Sequence, residues 1–449
     1  MACRIRSGRR ILEGFVITGT EDGMEKDGFI NMFGGRTDAA PDPYRCNRVA
    51  RDAYEGDPVP FSEEELAQID ERSRRWAWIE VEQSAIAHNT RAAKAKLRPG
   101  CRLMAVVKAD AYGHGAIPCA RTALASGADS LAVATVDEAL ELRRAGFTCP
   151  LVILAEPPVT SIPLLLANRI QPAVYTPEFA LAYGECADAH NMMAPFHLAV
   201  NTGMNRIGVR YDQVVEFRRQ IGFHRALDQV GTFTHFATAD CPDHFDFDMQ
   251  LRRFTQAINS LRAAGENPGV VHAGNSAVIF RYPQAHFDMA RLGISLYGFH
   301  ACDELRGTAD LRPAMSVKAR ITSVKDVPLG DGVSYGLHYR SPGLVKICTL
   351  PLGYADGFNR LLSGKAKVIL NGQYCQQVGN ICMDQCMFEV NMRRGSKWPV
   401  LDPREGDVVT IIGRDGDAEL TITDMARDLG TIEHEVAIGF SHRMPRIQK

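Results

Sequence analysis

The sequence has no long hydrophobic run, and this absence argues against a membrane-spanning protein. No apolar stretch approaches the roughly 20 residues that a helix needs to cross a bilayer. The N-terminus also lacks the pattern of a signal peptide, because the basic RIRSGRR is followed only by the short, interrupted ILEGFVITGT. We therefore expect a cytoplasmic protein that does not act at a membrane.

A large charge of one sign is also absent. The 449 residues include 51 basic and 53 acidic side chains, and no long basic block is available to follow a phosphate backbone. A nucleic-acid partner is therefore not expected. The twelve cysteines form no repeated C-x-x-C pairs, and Cys382 and Cys386 lack the second half of a zinc site. We interpret the cysteines as reduced thiols and expect no metal.

The chain is longer than most single domains, and its 45% apolar content predicts two large domains. Residues 1–74 precede them as an extension of unknown role with weak apolar periodicity. Within it only FSEEELAQIDERSRRW has a helical pattern, with Ser62 as its N-cap. The extension could add a binding or regulatory function, or reflect a start codon assigned too early, with Met24 or Met32 as later candidates.

Residues 75–310 alternate short apolar runs with helical segments such as VDEALELRRAG. This alternation predicts an α/β fold, namely a (β/α)8 TIM barrel, although an open parallel sheet of eight strands also fits. A further strand near 76–81 could join the next domain instead. The eight runs are RLMAVVK (102–108), SLAVAT (130–135), LVILAE (151–156), QPAVYT (171–176), FHLAVN (196–201), VGTFTHF (230–236), GVVHAGN (269–275) and FDMARLG (287–293).

Residues 311–449 have a different pattern, with short β-rich runs between closely spaced turn signals. This pattern predicts a C-terminal mostly-β domain, interrupted by one short helix, ITDMARDLG. The runs are MSVKARITSVKDV, GLVKICTLPLG, KAKVILNGQYCQQVG, QCMFEV and DVVTIIG.

Polar residues follow the predicted barrel strands at their C-terminal ends, where the active sites of such barrels lie. We therefore expect their side chains to converge on one mouth. Alone, Lys108 would be a lysine that extends to solvent and His235 a core histidine, so only their combination indicates a site. The residues are Lys108, Asn201, Arg206, His235, Asn275, Ser276 and Arg291.

The loops after the seventh and eighth strands read GNS and GIS, and their small residues let backbone N–H groups approach an anion. A phosphate site there, together with Lys108 and an arginine, suits pyridoxal 5'-phosphate. The lysine amine forms a Schiff base with the aldehyde, and an arginine can face the ring nitrogen.

From about residue 76 to the end, the chain resembles the alanine racemase family. The family combines an N-terminal barrel with a C-terminal β domain and is dependent on pyridoxal phosphate. The resemblance rests on separated motifs in the family's order, which are AVVKADAYGHG, NTGMNRIGVR, THFATAD, NSAVIFRYP, RLGISLYG, VSYG, LGYADGF, ICMDQ and HRMPR.

The resemblance implies an isomerase that interconverts L-alanine and D-alanine and supplies D-alanine for peptidoglycan. It implies that Lys108 carries the cofactor and that Arg291 faces the pyridine nitrogen. It also implies a homodimer in which Tyr335 of one subunit is the second base in the site of the other. The further cofactor residues implied are Tyr112, His235, Asn275, Ser276, Gly293, Ile294, Tyr354 and His442, and the substrate-binding residues are Arg206, Tyr335, Met383 and Asp384.

Inverting a Cα centre requires a proton to leave one face and another to arrive on the opposite face. Two opposed bases serve this better than one, and Lys108 and Tyr335 are the candidates. A free tyrosine has a pKa of about 10, so Tyr335 needs cationic or hydrogen-bonding neighbours. Arg206 and the pair His235 and Arg291 are available for this role.

The chain departs from the family pattern at three positions. Many members have a lysine where this chain has Ala199 and an aspartate where it has Asn201, so a bound anion such as chloride could fill the space near Arg206. His442 stands where the family usually has a tyrosine near the phosphate and the substrate. These changes keep open a serine racemase or an amino-acid racemase of broader specificity.

Two other functions fit the sequence less well. A decarboxylase of the same fold type calls for a Gly-rich phosphate loop and a catalytic cysteine in the C-terminal domain, and neither pattern is found in its expected form. A non-catalytic protein that binds pyridoxal phosphate would resemble the barrel alone and would not need VSYG or ICMDQ.

Overall fold

The computed structural model describes residues 61–69, 74–307, 309–390 and 400–449. The chain divides into two units, Met1–Gln68 and Ile69–Lys449. In the first unit helix α1 (Glu63–Ala67) follows Ser62, whose hydroxyl accepts the N–H of Glu65 at 3.1 Å. The Glu65 carboxylate accepts the N–H of Ser62 at 2.8 Å, which completes a capping box and confirms the predicted N-cap. Residues 1–60 and 70–73 of the predicted extension lie outside the described residues.

The second unit contains the remaining strands and helices. The strands are β1 (Ala77–Val81), β2 (Arg102–Val106), β3 (Ser130–Val133), β4 (Leu151–Ile153), β5 (Gln171–Val174), β6 (Ala194–Asn201), β7 (Val209–Arg210), β8 (Leu227–Phe233), β9 (Val270–His272), β10 (Met289–Leu292), β11 (Met315–Arg320), β12 (Ser323–Val327), β13 (Gly332–Val333), β14 (Tyr339–Arg340), β15 (Val345–Leu350), β16 (Lys367–Leu370), β17 (Gln373–Val378), β18 (Cys386–Val390), β19 (Val408–Asp415), β20 (Ala418–Leu420) and β21 (Arg446–Gln448). The helices are α2 (Gln83–Lys96), α3 (Lys108–Gly113), α4 (Ala116–Ala125), α5 (Val136–Arg144), α6 (Ile162–Ala167), α7 (Pro177–Ala189), α8 (Val214–Ile221), α9 (Phe245–Ala263), α10 (Ser276–Arg281), α11 (Ile422–Leu429) and α12 (Glu433–Gly439).

The first sheet of this unit is a closed parallel barrel. Its strands follow the order β2, β3, β4, β5, β6, β8, β9 and β10, and β10 pairs with β2 to close the ring. Every residue of β3, β4 and β10 is buried, as expected for strands covered on both faces. The eight predicted runs are the eight barrel strands. The predicted TIM barrel is therefore confirmed, and the open-sheet alternative is wrong.

The second sheet is mostly antiparallel and is formed mainly by the C-terminal half of the unit. Its order is β12, β15, β18, β17, β16, β19, β11, β1 and β21, and β20 pairs with β19. Strand β1 thus joins this sheet rather than the barrel, between antiparallel β11 and parallel β21. The predicted mostly-β fold of this region is confirmed.

Two helices follow β20, where the sequence pattern predicts one. Helix α11 is the predicted ITDMARDLG segment, which begins after Thr421 in a capping box. Helix α12 was not predicted, because Ile432 at its N-cap provides no side-chain cap and Gly439 lies in its last turn. In the described parts of the chain, no helix combines the length and apolar character required to span a membrane.

Candidate active site

A cavity of about 550 Å³ opens at the C-terminal ends of the barrel strands. It contains side chains that follow β2, β6, β8, β9 and β10, which is where the strand pattern placed the expected site. Its lining includes all of the barrel residues proposed for the site. They are Lys108, Tyr112, Asn201, Arg206, His235, Asn275, Ser276, Arg291, Gly293 and Ile294.

Lys108 begins the segment α3, two residues after the end of β2. Burial lowers the pKa of its amine, the Arg206 guanidinium lowers it further, and the Glu138 carboxylate raises it. The amine is therefore easier to deprotonate near neutral pH than an exposed lysine.

Arg291 points into the barrel and is 3% exposed. Its guanidinium donates to the carbonyl oxygens of Thr234 at 2.7 Å, Ala273 at 3.1 Å and His272 at 3.1 Å, and to His235 Nδ1 at 3.3 Å. Burial and the charge of Arg206 lower the pKa of Arg291 to about 9, so the group still carries its proton at neutral pH. Three backbone carbonyls thus hold a fixed positive charge beneath the cavity.

A chain of buried hydrogen bonds continues from Arg291 through the barrel core. Arg291 donates to His272 Nδ1 at 2.9 Å, the two rings of His272 and His197 meet at 2.9 Å, and His197 Nε2 lies 3.0 Å from Gln171 Oε1. Since an amide oxygen only accepts and a guanidinium only donates, each imidazole must donate once and accept once. Both rings are therefore neutral. Burial, then the charge of Arg291, lowers the pKa of His197 to about 3, and the pKa of His272 also lies well below its usual range.

His235 is neutral for the same reasons. Burial lowers the pKa of His235 to about 3, with further lowering by Arg291, Arg206 and Lys108. Among the described residues, the cavity lining holds the cations Lys108, Arg206 and Arg291 against one carboxylate, Asp240. The cavity is therefore suited to an anionic ligand.

One corner of the cavity is formed by hydroxyl groups and a glycine. Ser276 Oγ accepts the N–H groups of Gly293 at 3.1 Å and Ser295 at 3.3 Å. A Cβ added at Gly293 would lie 3.4 Å from the Tyr112 hydroxyl and 3.9 Å from Ser276 Oγ. The glycine therefore leaves open the space between these two hydroxyls. Asn275 caps α10 through the N–H of Val278 at 3.1 Å, which fixes the loop that carries Ser276.

His434 completes this corner and was missed in the sequence analysis. It lies on α12, lines the cavity, and has its ring centroid 5.7 Å from that of Tyr112. Its Nδ1 is buried and has no hydrogen-bond partner among the described residues. Burial lowers the pKa of His434, opposed by Glu433 and Asp240 and assisted by Lys108. His434 can be predicted as a site residue only if helix α12 is recognised, and the sequence pattern did not predict this helix.

The structure does not bring His442 to the cavity, and this corrects the sequence prediction. His442 lies beyond α12, in the turn that precedes β21, and is not among the lining residues. The physical reason is α12 itself, because this helix brings a different histidine, His434, against Tyr112.

The residues expected on the entrance side also lie away from this cavity. Tyr335, Met383 and Tyr354 are exposed by 73%, 53% and 41%. The backbone near Tyr335 is nevertheless well held, because Asn380 Nδ2 donates to the Tyr335 carbonyl at 2.7 Å and Ser334 Oγ donates to the Asn380 carbonyl at 2.5 Å. The phenol thus projects from a fixed segment towards solvent.

Asp384 belongs to an ionic network in the same region. Arg443 donates to Asp384 at 2.7 Å and lies 3.5 Å from Asp356, which is fully buried. Asp356 also pairs with Arg75 and accepts the N–H of Gly353 at 2.9 Å. The network therefore fixes the turn that bears Tyr354.

The side chain of Asn201 is used within its own loop. Its amide oxygen accepts the N–H groups of Gly203 at 3.0 Å and Asn205 at 3.1 Å, and its amide nitrogen donates to the Asn205 side chain at 3.0 Å. Ala199 contributes only a small apolar surface to the cavity. Neither residue supplies a carboxylate to Arg206.

Comparison with known proteins identifies both halves of the fold. Residues 81–301 match the model of the alanine racemase N-terminal domain, and residues 314–448 match that of the C-terminal domain. An alanine racemase of Desulfovibrio desulfuricans is 41% identical over 373 residues, which cover 83% of this chain and 98% of that protein.

Two solved structures show the same fold. The alanine racemase from E. faecalis superposes with a TM-score of 0.77 at 35% identity, covering 84% of this chain and 99% of that one. A histidine racemase from Leuconostoc mesenteroides superposes with a TM-score of 0.74 at 30% identity, covering 84% and 98%.

Proposed function

The chain belongs to the alanine racemase family, and from this premise we propose that it interconverts L-alanine and D-alanine with pyridoxal 5'-phosphate as its cofactor. The observation that carries the proposal is the cavity itself. It combines a buried amine of lowered pKa, a fixed guanidinium and a hydroxyl-lined corner at the mouth of one barrel.

The residues present fit this cofactor. The space that Gly293 leaves between two hydroxyls, together with the unpartnered Nδ1 of His434, suits a phosphate group. Lys108 would hold the aldehyde end and Arg291 would face the pyridine nitrogen. The other residues proposed to bind the cofactor are Tyr112, His235, Asn275, Ser276 and Ile294.

When bound, pyridoxal phosphate withdraws electrons from the Cα of an amino acid and makes the Cα proton acidic. The proposed roles of the protein are to position that proton and to move it. The lowered pKa of Lys108 favours a base that works near neutral pH on one face of the substrate. Arg291 is protonated and already donates to three carbonyl oxygens. It therefore disfavours a second proton at the ring nitrogen.

Arg206 is the proposed partner of the substrate carboxylate. It lines the cavity, and the amide of the neighbouring Asn201 is hydrogen-bonded within its own turn. A guanidinium can bind a carboxylate through two parallel hydrogen bonds, which fixes the orientation of the Cα.

The second base is proposed to be Tyr335 of a partner subunit. The phenol is 73% exposed and lies on a held segment outside the cavity, so a second copy of the chain is needed to bring it to the substrate. We propose a homodimer with two shared sites, with Tyr354, Met383 and Asp384 on the partner side of each entrance.

The proposed product, D-alanine, serves peptidoglycan synthesis, and the proposed location is the cytoplasm. The ten cysteines in the described residues are free thiols, which supports a reducing compartment.

Serine is the second candidate substrate. His434 lines the cavity, and its Nδ1 has no hydrogen-bond partner among the described residues. A side-chain hydroxyl, which alanine lacks, is the alternative to the phosphate as the partner of this nitrogen. We expect alanine to remain the better substrate.

The experiment is to load the purified protein with pyridoxal phosphate, record its visible absorbance, and measure racemisation of L-alanine and L-serine by chiral chromatography. We expect bound-cofactor absorbance, and turnover of alanine above that of serine. Lys108→Ala should abolish both the absorbance and turnover. Turnover that survives Lys108→Ala, or a wild-type protein that racemises neither amino acid, would contradict the proposal.

A further inference from the structure

The segment that carries Lys108 has an unusual backbone. In α3 the four residues from Ala109 to Tyr112 have φ between 51° and 53° and ψ between 40° and 53°. These are left-handed helical angles, which L-residues other than glycine disfavour because Cβ approaches the following carbonyl. Two of the four are alanines, which favour right-handed helices. Surrounding contacts must therefore impose this conformation.

This left-handed turn has a clear consequence for the cavity. It begins directly after Lys108 and ends at Tyr112, and the side chains of both residues line the same cavity. A right-handed turn would place the two side chains in different relative directions. The turn thus couples the position of the amine to that of the hydroxyl beside Gly293.

Several contacts hold the exit of the turn. Arg446 donates to the Gly113 carbonyl at 2.8 Å, and the His114 ring lies 3.0 Å from the Ala111 carbonyl and 2.9 Å from that of Tyr112. Gly113 itself allows close packing, because a Cβ there would meet the Ala437 carbonyl at 2.5 Å. Changes at the exit would therefore disturb several parts of the fold at once.

The entry of the turn is held by Glu138. Its Oε1 accepts the N–H of Ala109 at 2.7 Å, and its Oε2 accepts the N–H groups of Ala134 at 2.8 Å and Thr135 at 3.1 Å. One carboxylate therefore links the residue after Lys108 to the segment after β3. Because a buried or partly buried carboxylate binds N–H donors strongly, this link restrains the direction in which Lys108 leaves its strand.

We propose that Glu138 is a positioning residue for Lys108, acting through the N–H of Ala109 to hold the left-handed turn that directs Lys108 and Tyr112 into one cavity. The proposal rests on the proposed function, since it concerns the residue that would carry the cofactor. Glu138 is not among the residues that line the cavity.

Glu138 also has an ordinary structural role, from which the positioning role must be separated. It forms a capping box with Thr135 at the start of α5, in which its own N–H donates to Thr135 Oγ1 at 3.3 Å. Thr135→Ala weakens this cap but leaves the bond between Glu138 and Ala109 in place. It is therefore the matched control.

The negative charge of Glu138 has a second effect that can be measured, a change in the pKa of Lys108. Lys108 is faced by Arg206 after β6, His235 after β8, His434 on α12 and Glu138 on α5. Only the carboxylate in this set favours the protonated amine, so removing its charge lowers the pKa of Lys108. The Lys108 amine then remains deprotonated at lower pH. In the pH profile of any step that needs the deprotonated amine, the acidic limb therefore moves to lower pH.

The experiment compares Glu138→Ala, Glu138→Gln and Thr135→Ala in the loaded enzyme. For Glu138→Ala we expect kcat for alanine to fall by about 10- to 100-fold with KM changed less than about threefold, since misplacement of a reacting group by about 1 Å can cost this much. Glu138→Gln retains an oxygen acceptor and should recover part of kcat. In both variants the pH titration of the cofactor's visible absorbance, which reports the protonation of the Lys108 nitrogen bound to the cofactor, should move to lower pH, because the carboxylate no longer favours the protonated form.

Thr135→Ala should lower the urea midpoint slightly but leave kcat and the absorbance titration at wild-type values. If the Glu138 variants match Thr135→Ala in both readouts, the positioning role is refuted while the racemase assignment stands. A wild-type protein with neither cofactor absorbance nor turnover would instead refute the proposed function on which this role depends. If Glu138→Ala does not fold, Glu138→Gln still distinguishes these outcomes.

Discussion

At the scale of single residues, the cavity is defined as much by a missing side chain as by those present. Gly293 lies between the Tyr112 and Ser276 hydroxyls, and a Cβ there would make only ordinary contacts at 3.4 Å and 3.9 Å. A methyl group at this position would have no close contact with a neighbouring atom, but it would occupy the space proposed for the phosphate.

Gly293→Ala is expected to weaken cofactor affinity by about tenfold or more, because one or two hydrogen bonds to a charged group are lost. The urea midpoint without added cofactor should change little. Titration of visible absorbance with pyridoxal phosphate measures the affinity. Gly343→Ala is the control, since a Cβ there has nothing within 4 Å. Equal cofactor affinity in both variants would place the phosphate elsewhere.

At the scale of secondary-structure elements, the barrel core contains a polar chain that depends on neutral histidines. His197 and His272 each donate one hydrogen bond and accept one between Arg291 and Gln171. The pKa of His197 is lowered to about 3 and that of His235 also to about 3, chiefly by burial. Protonating His197 or His272 would add a charge near Arg291 and place two hydrogen-bond donors opposite each other in the chain.

This arrangement predicts a loss of stability in mild acid. Between about pH 6.5 and pH 3, the unfolded chain binds protons at these histidines and the folded chain does not, so the free energy of unfolding falls as pH falls. Each such histidine contributes up to about 1.4 kcal/mol per pH unit.

Urea unfolding between pH 6.5 and pH 5 measures this slope. His197→Asn should reduce the slope by about one proton. If His197→Asn leaves the slope unaltered, the His197 ring has the same pKa in the folded and the unfolded chain, which would contradict this prediction.

The sequence was a good guide to the barrel and a partial guide to the site. Eight apolar runs with intervening helical patterns predict eight strands correctly, because buried parallel strands leave a strong compositional signal. Lys108 and Arg291 were found from their positions at strand ends. Helix α12 was not predicted, since neither Ile432 nor Gly439 signals a helix, and His434 was therefore missed. The HRMPR motif indicated His442 instead.

The left-handed turn of α3 was also beyond prediction from the sequence. Its residues Ala109, Asp110, Ala111 and Tyr112 include no glycine, and alanine favours the opposite hand. Partners that are distant in sequence, Glu138 and Arg446, override this local preference. Such long-range effects leave no local pattern.

At the scale of the whole molecule, the proposed site is divided between two surfaces. The cavity with Lys108 lies in the barrel, whereas Tyr335 projects towards solvent from the β-rich region. In a symmetric dimer with a two-fold axis, each subunit would complete the site of the other. A site made in this way contains Lys108 from one chain and Tyr335 from its partner.

The most direct test is to co-express Lys108→Ala and Tyr335→Phe chains with different affinity tags, isolate the mixed dimer, and measure alanine racemisation. Each variant alone should be nearly inactive. Because the mixed dimer retains one site with both bases intact, we predict about half of the wild-type kcat per dimer. A mixed dimer no more active than either variant alone would contradict the shared two-base site.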